Sequence, residues 1–311
     1  MNTALTIGNF DGVHLGHRRL IRKVLEIADA RVLTPALMTF DPHPTRVVAP
    51  ERCPRLLTTL EQRERLVRAE GIELIDVCPF TPETARFTPE EFVSEIVVGR
   101  LGAGAVVVGR NFRFGHKAAG NVDTLRELGA KYGFDTQIVD EVTWRGTTVS
   151  SSRIRSFILN GDVSRGCRML GRPYVLEGPV VHGHGIGSKK TVPTLNLATT
   201  AEVLPATGVY ITRTFETSDS RQWRSVTNVG YRPTFNSDDR LTVETFLLDP
   251  LEADAPRAIR VQFLKRLREE RKFENPEALK AQILRDVKRS QSYFRRLEPR
   301  NIYTGIDTSR T

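Results

Sequence analysis

Short runs of β-branched and other apolar residues alternate with longer stretches of helical periodicity through the first half of the chain. This alternation is typical of an α/β fold, a doubly wound parallel sheet with helices on both faces. The predicted strands cover residues 4–7, 36–40, 74–78, 105–108 and 136–139, and the predicted helices cover residues 17–30, 60–70, 89–98 and 122–132. Because crossover connections are right-handed, the carboxyl ends of the strands share one edge of the sheet, where we expect a ligand.

Beyond about residue 170 the pattern changes to short strands separated by turns rich in Pro and Gly. Strands at this spacing predict a small antiparallel β-barrel. They cover residues 174–181, 194–197, 209–215, 225–229, 242–248 and 259–264. A C-terminal helix is predicted at residues 276–297. It carries Leu279, Ile283, Val287 and Phe294 at helical intervals, so we expect this face to pack against the barrel.

The length of 311 residues suits two ordinary domains. The change of pattern places the boundary between Asn160 and Gly171, with the α/β domain over residues 1–165 and the barrel domain over residues 171–298. No apolar run approaches the roughly 20 residues that a membrane helix needs, and the start of the sequence does not have the pattern of a signal peptide. We therefore expect a cytoplasmic protein that does not bind membranes.

Composition narrows the choice of partner only in part. The net charge of +9 suits a protein that handles polyanions, which leaves nucleic acid, an anionic membrane surface and small phosphorylated substrates open. Much of the excess lies in residues 260–300, where Glu residues are interspersed, and this favours a solvated amphipathic helix. The three cysteines, Cys53, Cys78 and Cys167, are scattered without a CxxC pair, which argues against a disulfide framework and a zinc site.

The strongest motif is the string GNFDGVHLGH at residues 8–17, a strand end followed by a glycine turn and a helix start. A helix amino terminus presents unpaired N–H groups and a partial positive charge to which a phosphate binds. His14 and His17 add donors that stabilise charge developing at an attacked α-phosphate. The residues expected to contact ATP phosphates in this turn are Gly8, Phe10, Asp11 and Gly12.

This string resembles the HxGH nucleotidyltransferase superfamily, and its longer form is similar to the FAD synthetase module of bacterial bifunctional riboflavin kinase/FAD synthetases. Three further segments match that family in order: FDPHP at residues 40–44, GRNFRFG at 109–115 and SSSRIR at 150–155. The resemblance implies adenylylation of FMN by ATP to give FAD. It also implies that Phe40, Pro42 and His43 lie on the flavin side of the site.

The same resemblance implies a catalytic role for Asn111 in the second segment and for Ser151 and Ser152 in the third. Hydroxyl groups at a helix start cap its N–H groups. Arg153 and Arg155 supply fork-shaped donors for the departing pyrophosphate.

From Gly171 onward the chain resembles riboflavin kinase, a six-stranded barrel domain. The stretch 178–187 corresponds to a glycine loop over the ATP phosphates, with Gly183 and Gly187, and PTLN at 193–196 resembles the PTAN motif, which implies that Thr194 and Asn196 hold Mg²⁺ and phosphates. NVGYRPTF at 228–235 implies flavin contacts from Asn228 and Arg232. The resemblance also implies that Glu244 is the general base on the ribityl hydroxyl. Strand alternation places Glu244 on the same face as Phe246.

The kinase half departs from its family at Thr191, where the usual residue is Gly, and phosphate contacts are then expected from Lys189 or Lys190. The favoured interpretation is a bifunctional enzyme that takes ATP, riboflavin and FMN, requires Mg²⁺, binds no nucleic acid and is a monomer or weak homo-oligomer. One alternative is a single-activity FAD synthetase whose barrel only binds flavin. The other is a regulatory flavin sensor that binds nucleic acid.

Overall fold

A computed structural model describes residues 2–181, 194–231, 241–251 and 254–297. The chain forms two compact units, Met1–Ser152 and Arg153–Thr311. This division lies upstream of the boundary predicted between residues 160 and 171, and the independence of the two predicted domains stays a prediction.

The first unit is built on a five-stranded sheet in which every neighbouring pair of strands is parallel. Its strands are β1 (Thr3–Ile7), β2 (Thr34–Asp41), β3 (Leu74–Pro79), β4 (Ala103–Gly109) and β5 (Asp135–Val139), in the order β3-β2-β1-β4-β5. The five strands predicted from the apolar runs are all present, and the doubly wound α/β fold is confirmed. A small hairpin, β6 (Thr143–Trp144) and β7 (Thr147–Thr148), follows.

Helices cover both faces of this sheet. They are α1 (Leu15–Arg31), α2 (Pro44–Val48), α3 (Leu60–Ala69), α4 (Pro89–Glu91) and α5 (Val122–Tyr132), with short 3₁₀ turns at Pro50–Arg52, Thr84–Arg86 and His116–Ala118. The helix predicted at 89–98 instead becomes a π-helix at Phe92–Arg100. Its buried residues are Phe92, Val93 and Val97, so Val97 lies five positions after Phe92 and four after Val93, which suits the wider π turn.

Alternate residues of the central strands enter two separate cores. Leu5 of β1 and Val106 of β4 belong to one buried cluster, whereas Ala4 and Val107 belong to the other. Because successive strand residues point to opposite faces, both faces of the sheet are covered. This burial on both sides explains why the strands have continuous apolar runs rather than alternating patterns.

Helix α6 (Ser151–Leu159) starts in the first unit and continues into the second. It is followed by α7 (Val163–Leu170). A closed antiparallel barrel follows, in the order β10-β11-β12-β9-β8-β13, as predicted. Its strands are β8 (Tyr174–Val181), β9 (Thr194–Leu197), β10 (Gly208–Glu216), β11 (Gln222–Tyr231), β12 (Leu241–Leu247) and β13 (Ala258–Arg268). The last helix is α8 (Pro276–Leu297).

A chain of hydroxyl groups runs through the interior of the barrel. The Oγ of Ser225 lies 2.8 Å from Oγ1 of Thr214 and 2.8 Å from Oγ1 of Thr212. Thr212 continues the chain to Thr227 at 2.8 Å, and Thr227 reaches Thr245 at 3.0 Å. All five side chains are fully buried. Each hydroxyl group has a partner, so these polar groups avoid the penalty of unpaired burial.

The predicted packing face of α8 is correct at Phe294, which is fully buried, and wrong by about one residue toward the start of the helix. Leu279 and Ile283 are 41% and 39% exposed, and the buried positions are Gln282, Asp286, Ser290 and Phe294. The reason is electrostatic, because the Nε of Arg268 on β13 donates to Asp286 Oδ2 at 2.9 Å, and Gln282 Nε2 donates to Asp286 Oδ1 at 2.8 Å. The buried face of α8 is therefore polar, and its side chains satisfy one another's hydrogen bonds. The spacing of apolar residues in the sequence does not indicate such a face.

Alkaline pH is expected to destabilise the barrel through Cys167. Burial raises the pKa of this thiol to about 11, and Tyr174 N–H donates to its sulfur at 3.2 Å. The folded state thus favours the neutral thiol, so its stabilisation is complete below the ordinary thiol pKa and is lost as pH rises toward 11. We expect the free energy of unfolding to fall by on the order of 3 kcal/mol from this group.

The measurement is urea unfolding followed by barrel fluorescence at several pH values from neutral to strongly alkaline. Burial also raises the pKa of Tyr210 to about 12, so some alkaline loss persists in a Cys167→Ala variant. The variant should show a shallower fall than the unmodified protein. An identical fall in both proteins would contradict the assignment to Cys167.

Candidate functional site

Three of the predicted motifs follow neighbouring strands of the sheet. The glycine turn follows β1, residues 40–44 span the end of β2, and residues 109–115 follow β4. Because β2, β1 and β4 are adjacent and parallel, these segments lie together at the carboxyl edge of the sheet. The first unit thus has a candidate site at the edge where the sequence predicts one.

The glycine turn adopts an uncommon backbone conformation. Phe10, Gly12 and Val13 have φ angles of +48°, +79° and +37°, and Val13 N–H donates to Phe10 O at 3.0 Å. A positive φ is costly for the β-branched Val13. The surrounding contacts must therefore hold this turn in place.

Asp11 supplies much of that support. Its Oδ1 accepts hydrogen bonds from Leu57 N–H at 2.8 Å and from Thr58 N–H at 3.1 Å, and Gly12 N–H donates to Thr58 Oγ1 at 3.1 Å. Ser151 Oγ donates to the carbonyl oxygen of Asp11 at 2.9 Å. Asp11 is buried, so its carboxylate shapes the turn, and the first residue of α6 is fixed to the same turn.

The two histidines stack on one another at the start of α1. His14 is the N-cap residue, and its Nδ1 accepts the His17 N–H at 3.3 Å. In a neutral ring the proton then sits on Nε2, which makes that atom a donor. The ring centroids are 3.6 Å apart, and the buried Phe10 ring packs on His17 at 4.9 Å. A Cβ at Gly16 would lie 3.1 Å from the His14 ring, so a small residue is needed there.

The loop after β2 is fixed to the glycine turn through His43. Its Nδ1 accepts Thr45 N–H at 3.2 Å as the N-cap of α2, and its Nε2 lies 3.0 Å from Asn9 Nδ2. Both ring nitrogens thus face protein groups. Pro42 is half-buried, and Phe40 packs edge-on against Phe80 at 5.6 Å. This places two aromatic rings beside the candidate site.

The loop after β4 leaves Asn111 exposed. Its neighbours are fixed, because Phe112 and Phe114 stack at 5.5 Å and Phe114 contacts Phe92 of the π-helix at 5.8 Å. Gly115 has φ +73°, and a Cβ there would lie 2.8 Å from Pro89 N, so the loop requires glycine at this position.

The third motif straddles the division between the two units. Ser151 is half-buried, Ser152 and Arg153 are exposed, and Arg155 is half-buried. Arg153 and Arg155 belong to the second unit. Their predicted approach to the histidines therefore stays a prediction.

A row of three polar residues crosses adjacent strands on the outer face of the barrel. Glu244 of β12 lies directly opposite Asn228 of β11 on one side and Asn196 of β9 on the other. Phe246 lies opposite Thr194 in the next row. Residues paired across strands share a face, so Glu244 and Phe246 lie on one face, as alternation predicts. Between them, Thr245 points into the barrel interior.

The chain segment after β13 adds groups beside this row that the motifs did not indicate. The side chain of Glu270 lies against Gly230, where a Cβ would be 2.2 Å from Glu270 Oε1 and 3.0 Å from Asn228 Nδ2. Arg268 and Arg271 lie over the ring of Phe273 at 5.7 and 4.8 Å. Nothing in the local sequence pattern relates this segment to β11. The segment after β13 and strand β11 come together only because the barrel closes.

The predicted phosphate and flavin residues Gly183, Gly187, Lys189, Lys190 and Arg232 lie outside the described residues, as does Thr191. Within the part of the chain that the structure describes, no three His, Cys, Asp or Glu residues group together as a metal site. Among the described helices, none combines the length and apolar character needed to cross a bilayer.

Comparison with known proteins gives matches along nearly the whole chain. The FAD synthetase family model matches residues 1–153, and the riboflavin kinase model matches residues 170–294. A bifunctional riboflavin kinase/FMN adenylyltransferase of Bacillus subtilis (strain 168) is 33% identical over 95% of this chain and 93% of its own length. The protein of the same name from Escherichia coli (strain K12) is 32% identical over 95% of this chain and 94% of its own.

A crystal structure described as a macrolide-efflux protein from Streptococcus pneumoniae is 27% identical to this chain. It superposes with a TM-score of 0.84 and covers 93% of this chain and 94% of its own. The architecture of both units is therefore present in a solved structure.

Proposed function

The chain belongs to the family of bifunctional riboflavin kinase/FMN adenylyltransferases, and we propose that it performs both reactions at two separate sites. At the first site AMP passes from ATP to FMN, which yields FAD and pyrophosphate. At the second site the γ-phosphate of ATP passes to riboflavin, which yields FMN. The observation that carries this proposal is that each unit has its own groups for phosphate chemistry, a stacked His pair at a helix start and a Glu between two Asn.

We assign adenylyl transfer to His14 and His17. The first N–H groups of α1 and its dipole attract the ATP phosphates. A phosphate oxygen of FMN attacks the α-phosphorus, and the bond from that phosphorus to the bridging oxygen breaks, so pyrophosphate leaves with the bonding electrons. Negative charge grows on the α-phosphate oxygens. The Nε2–H of His14 and the ring of His17 donate to this charge in the transition state.

The contacts of the glycine turn divide its residues into two roles. Gly8 and Gly12 let the triphosphate approach the backbone. Phe10 and Asp11 are buried, so we propose that they act by holding His17 and the turn in place rather than by touching ATP.

The flavin nucleotide is assigned to the loop after β2. Phe40 offers the flavin an apolar ring surface, and Pro42 offers it a rigid one. Because both ring nitrogens of His43 bind protein groups, the faces of its ring are what it presents to the flavin. Asn111 is exposed at the same edge and supplies an amide to the phosphates.

We propose that the SSSRIR segment binds the leaving pyrophosphate. Ser151 ties the start of α6 to the glycine turn, and the exposed hydroxyl of Ser152 in the first turn of α6 is assigned to the phosphates. Arg153 and Arg155 then stabilise the pyrophosphate as it departs.

We assign riboflavin phosphorylation to the barrel. The carboxylate of Glu244 accepts the proton of the ribityl hydroxyl as its oxygen attacks the γ-phosphorus of ATP, and ADP leaves. Thr194 and Asn196 are two residues apart on β9 and share a face, so a hydroxyl and an amide oxygen are available there together. Such oxygen donors suit Mg²⁺, which neutralises phosphate charge when bound. Asn228, on the other side of Glu244, is assigned to the flavin.

The remaining kinase assignments rest on the family motifs alone. From these motifs we assign Gly183 and Gly187 to ATP binding and Arg232 to flavin binding. Because Thr191 stands where the family has Gly, Lys189 or Lys190 binds the phosphates in this loop. If Thr191 abolishes phosphorylation, the chain is a single-activity FAD synthetase.

The experiment that tests the function is incubation of the purified protein with riboflavin, ATP and Mg²⁺, followed by chromatography of FMN and FAD. We expect both products. FAD from supplied FMN but not from riboflavin would select the single-activity alternative. Flavin binding without turnover would support the sensor instead.

Separability of the two activities is a further prediction. The α7 helix binds the barrel, since Cys167 Sγ donates to Phe263 O at 3.3 Å and Ser164 Oγ to Leu264 O at 3.2 Å. A fragment of residues 1–165 would therefore end inside a barrel-bound helix, and a fragment of residues 1–160 keeps α6 whole and omits α7. We expect the shorter fragment to be folded and to convert FMN to FAD at a rate within about tenfold of the full chain.

Circular dichroism and FMN turnover of the fragment, measured beside the full chain, check this expectation. A fragment that is unfolded or inactive would show that the first domain depends on the second.

We further propose that the enzyme is cytoplasmic, uses no nucleic acid or membrane, and is a monomer or weak homo-oligomer.

A further inference from the structure

A buried arginine lies next to the FMN adenylylation site without belonging to any of the predicted motifs. Arg63, in the first turn of α3, is only 2% exposed. Burial lowers its pKa, while the negative charges of Asp11 and Asp41 act in the opposite direction. An arginine early in a helix normally extends into water. The burial of Arg63 therefore calls for a specific reason.

Hydrogen bonds connect this arginine to both site loops. Its Nη1 donates to Thr39 Oγ1 at 3.1 Å and to the carbonyl oxygen of Phe40 at 3.3 Å. Thr39 Oγ1 in turn donates to the carbonyl oxygen of Asn9 at 3.1 Å. Asn9 also contacts His43 at 3.0 Å. The guanidinium group thus links the glycine turn to the loop assigned to the flavin nucleotide.

Stability alone does not account for this arrangement. The Nε of Arg63 is buried, and none of the residues that the structure describes accepts a hydrogen bond from it. A buried charge with an unpaired donor is unfavourable, and an apolar residue of similar size is often neutral or stabilising at such a position. What the guanidinium group supplies that an apolar side chain does not is a fixed distance between the two loops.

We propose that Arg63 is a positioning residue that sets the flavin loop, residues 40–44, against the glycine turn, residues 8–17, so that the FMN phosphate meets the α-phosphate of ATP. This inference rests on the proposed adenylyl transfer at that edge. Arg63 itself contacts neither substrate. Its effect passes through Thr39 and Phe40.

The test replaces Arg63 with Met, which keeps the length of the side chain and removes every donor. We expect the KM for FMN to rise about tenfold or more, because small misplacements of a reacting group have large effects. The KM for ATP should change less than about twofold, since Asp11 keeps its hydrogen bonds from the main-chain N–H groups of Leu57 and Thr58 and the glycine turn stays in place. Arg63→Lys should recover much of the FMN affinity, because an ammonium group still donates to the two oxygen acceptors.

Thr39→Val and the double variant decide whether Arg63 acts through Thr39. The single change should raise the KM for FMN at least about threefold, and its effect should be less than additive with Arg63→Met. The matched control is Arg68→Met on the same helix, because Arg68 is exposed and donates a hydrogen bond to the carbonyl oxygen of the nearby Glu73. Riboflavin phosphorylation by the same chain serves as the internal control.

Equal increases in the KM values for FMN and ATP, or no rescue by Lys, would reduce Arg63 to a general structural role and overturn the proposal. If Arg63→Met does not fold, Thr39→Val alone decides, and an unchanged KM for FMN overturns the proposal. A wild-type protein that makes no FAD overturns the proposed function and this inference together. A wild-type protein that makes FAD while the variants match it overturns this inference alone.

Discussion

Replacing Glu244 with Gln is expected to lower riboflavin phosphorylation by about two to four powers of ten. The substitution keeps the size of the side chain and removes the negative charge to which we assign acceptance of the hydroxyl proton. The flanking Asn228 and Asn196 side chains stay in register with position 244, so the loss should appear in kcat. Riboflavin binding should change far less. Initial rates of FMN formation at saturating ATP and Mg²⁺, with riboflavin affinity from fluorescence quenching, check both expectations.

Two controls separate loss of the base from loss of the fold. The variant should still convert supplied FMN to FAD, because that reaction belongs to the other unit. Glu277→Gln, which removes an exposed carboxylate at the start of α8, should leave both rates unchanged. Phosphorylation within about threefold of wild type in the Glu244 variant would remove this residue from the role of general base.

Replacing His17 with Ala is expected to suppress the conversion of FMN to FAD by about a hundredfold or more. The ring stacks on His14 at the amino terminus of α1, so its loss removes a donor and the surface that orients the neighbouring ring. The main-chain N–H of residue 17, which donates a hydrogen bond to Nδ1 of the N-cap residue His14, is still present in the variant. The helix start should therefore survive, and the effect should fall on turnover more than on ATP binding.

Pyrophosphate release from ATP and FMN measures this loss directly. Riboflavin phosphorylation in the same sample should keep its wild-type rate, which excludes misfolding of the whole chain. An adenylylation rate close to that of wild type would show that the histidine pair is not the catalytic centre.

The sequence predicted the sheet and the barrel because both depend on local periodicity. Continuous apolar runs marked β1 and β4, and helical periodicity marked α3. The π-helix was not predicted, because a run such as Phe92–Arg100 fits an ordinary helix equally well by hydrophobicity alone.

The residues that escaped prediction are those whose environment depends on distant partners. Arg63 reaches Thr39 across 24 positions, and Gly230 meets Glu270 across the closed barrel. The polar face of α8 follows from Arg268 on β13, which no periodicity within α8 encodes. Side chains of this kind are determined by the electrostatics of the assembled fold, whereas the motif residues are recognisable by their neighbours in sequence.

The hydroxyl chain within the barrel restricts how this protein can evolve. Replacing Thr212 by Val removes one partner each from Ser225 and Thr227, which would leave buried oxygens with fewer hydrogen bonds. An interior of Val and Ala in place of all five hydroxyl residues could pack as well. However, most single steps toward it pass through a less stable barrel. Selection that acts one mutation at a time therefore tends to preserve the hydroxyl interior in descendants of this chain, whether or not it contributes to turnover.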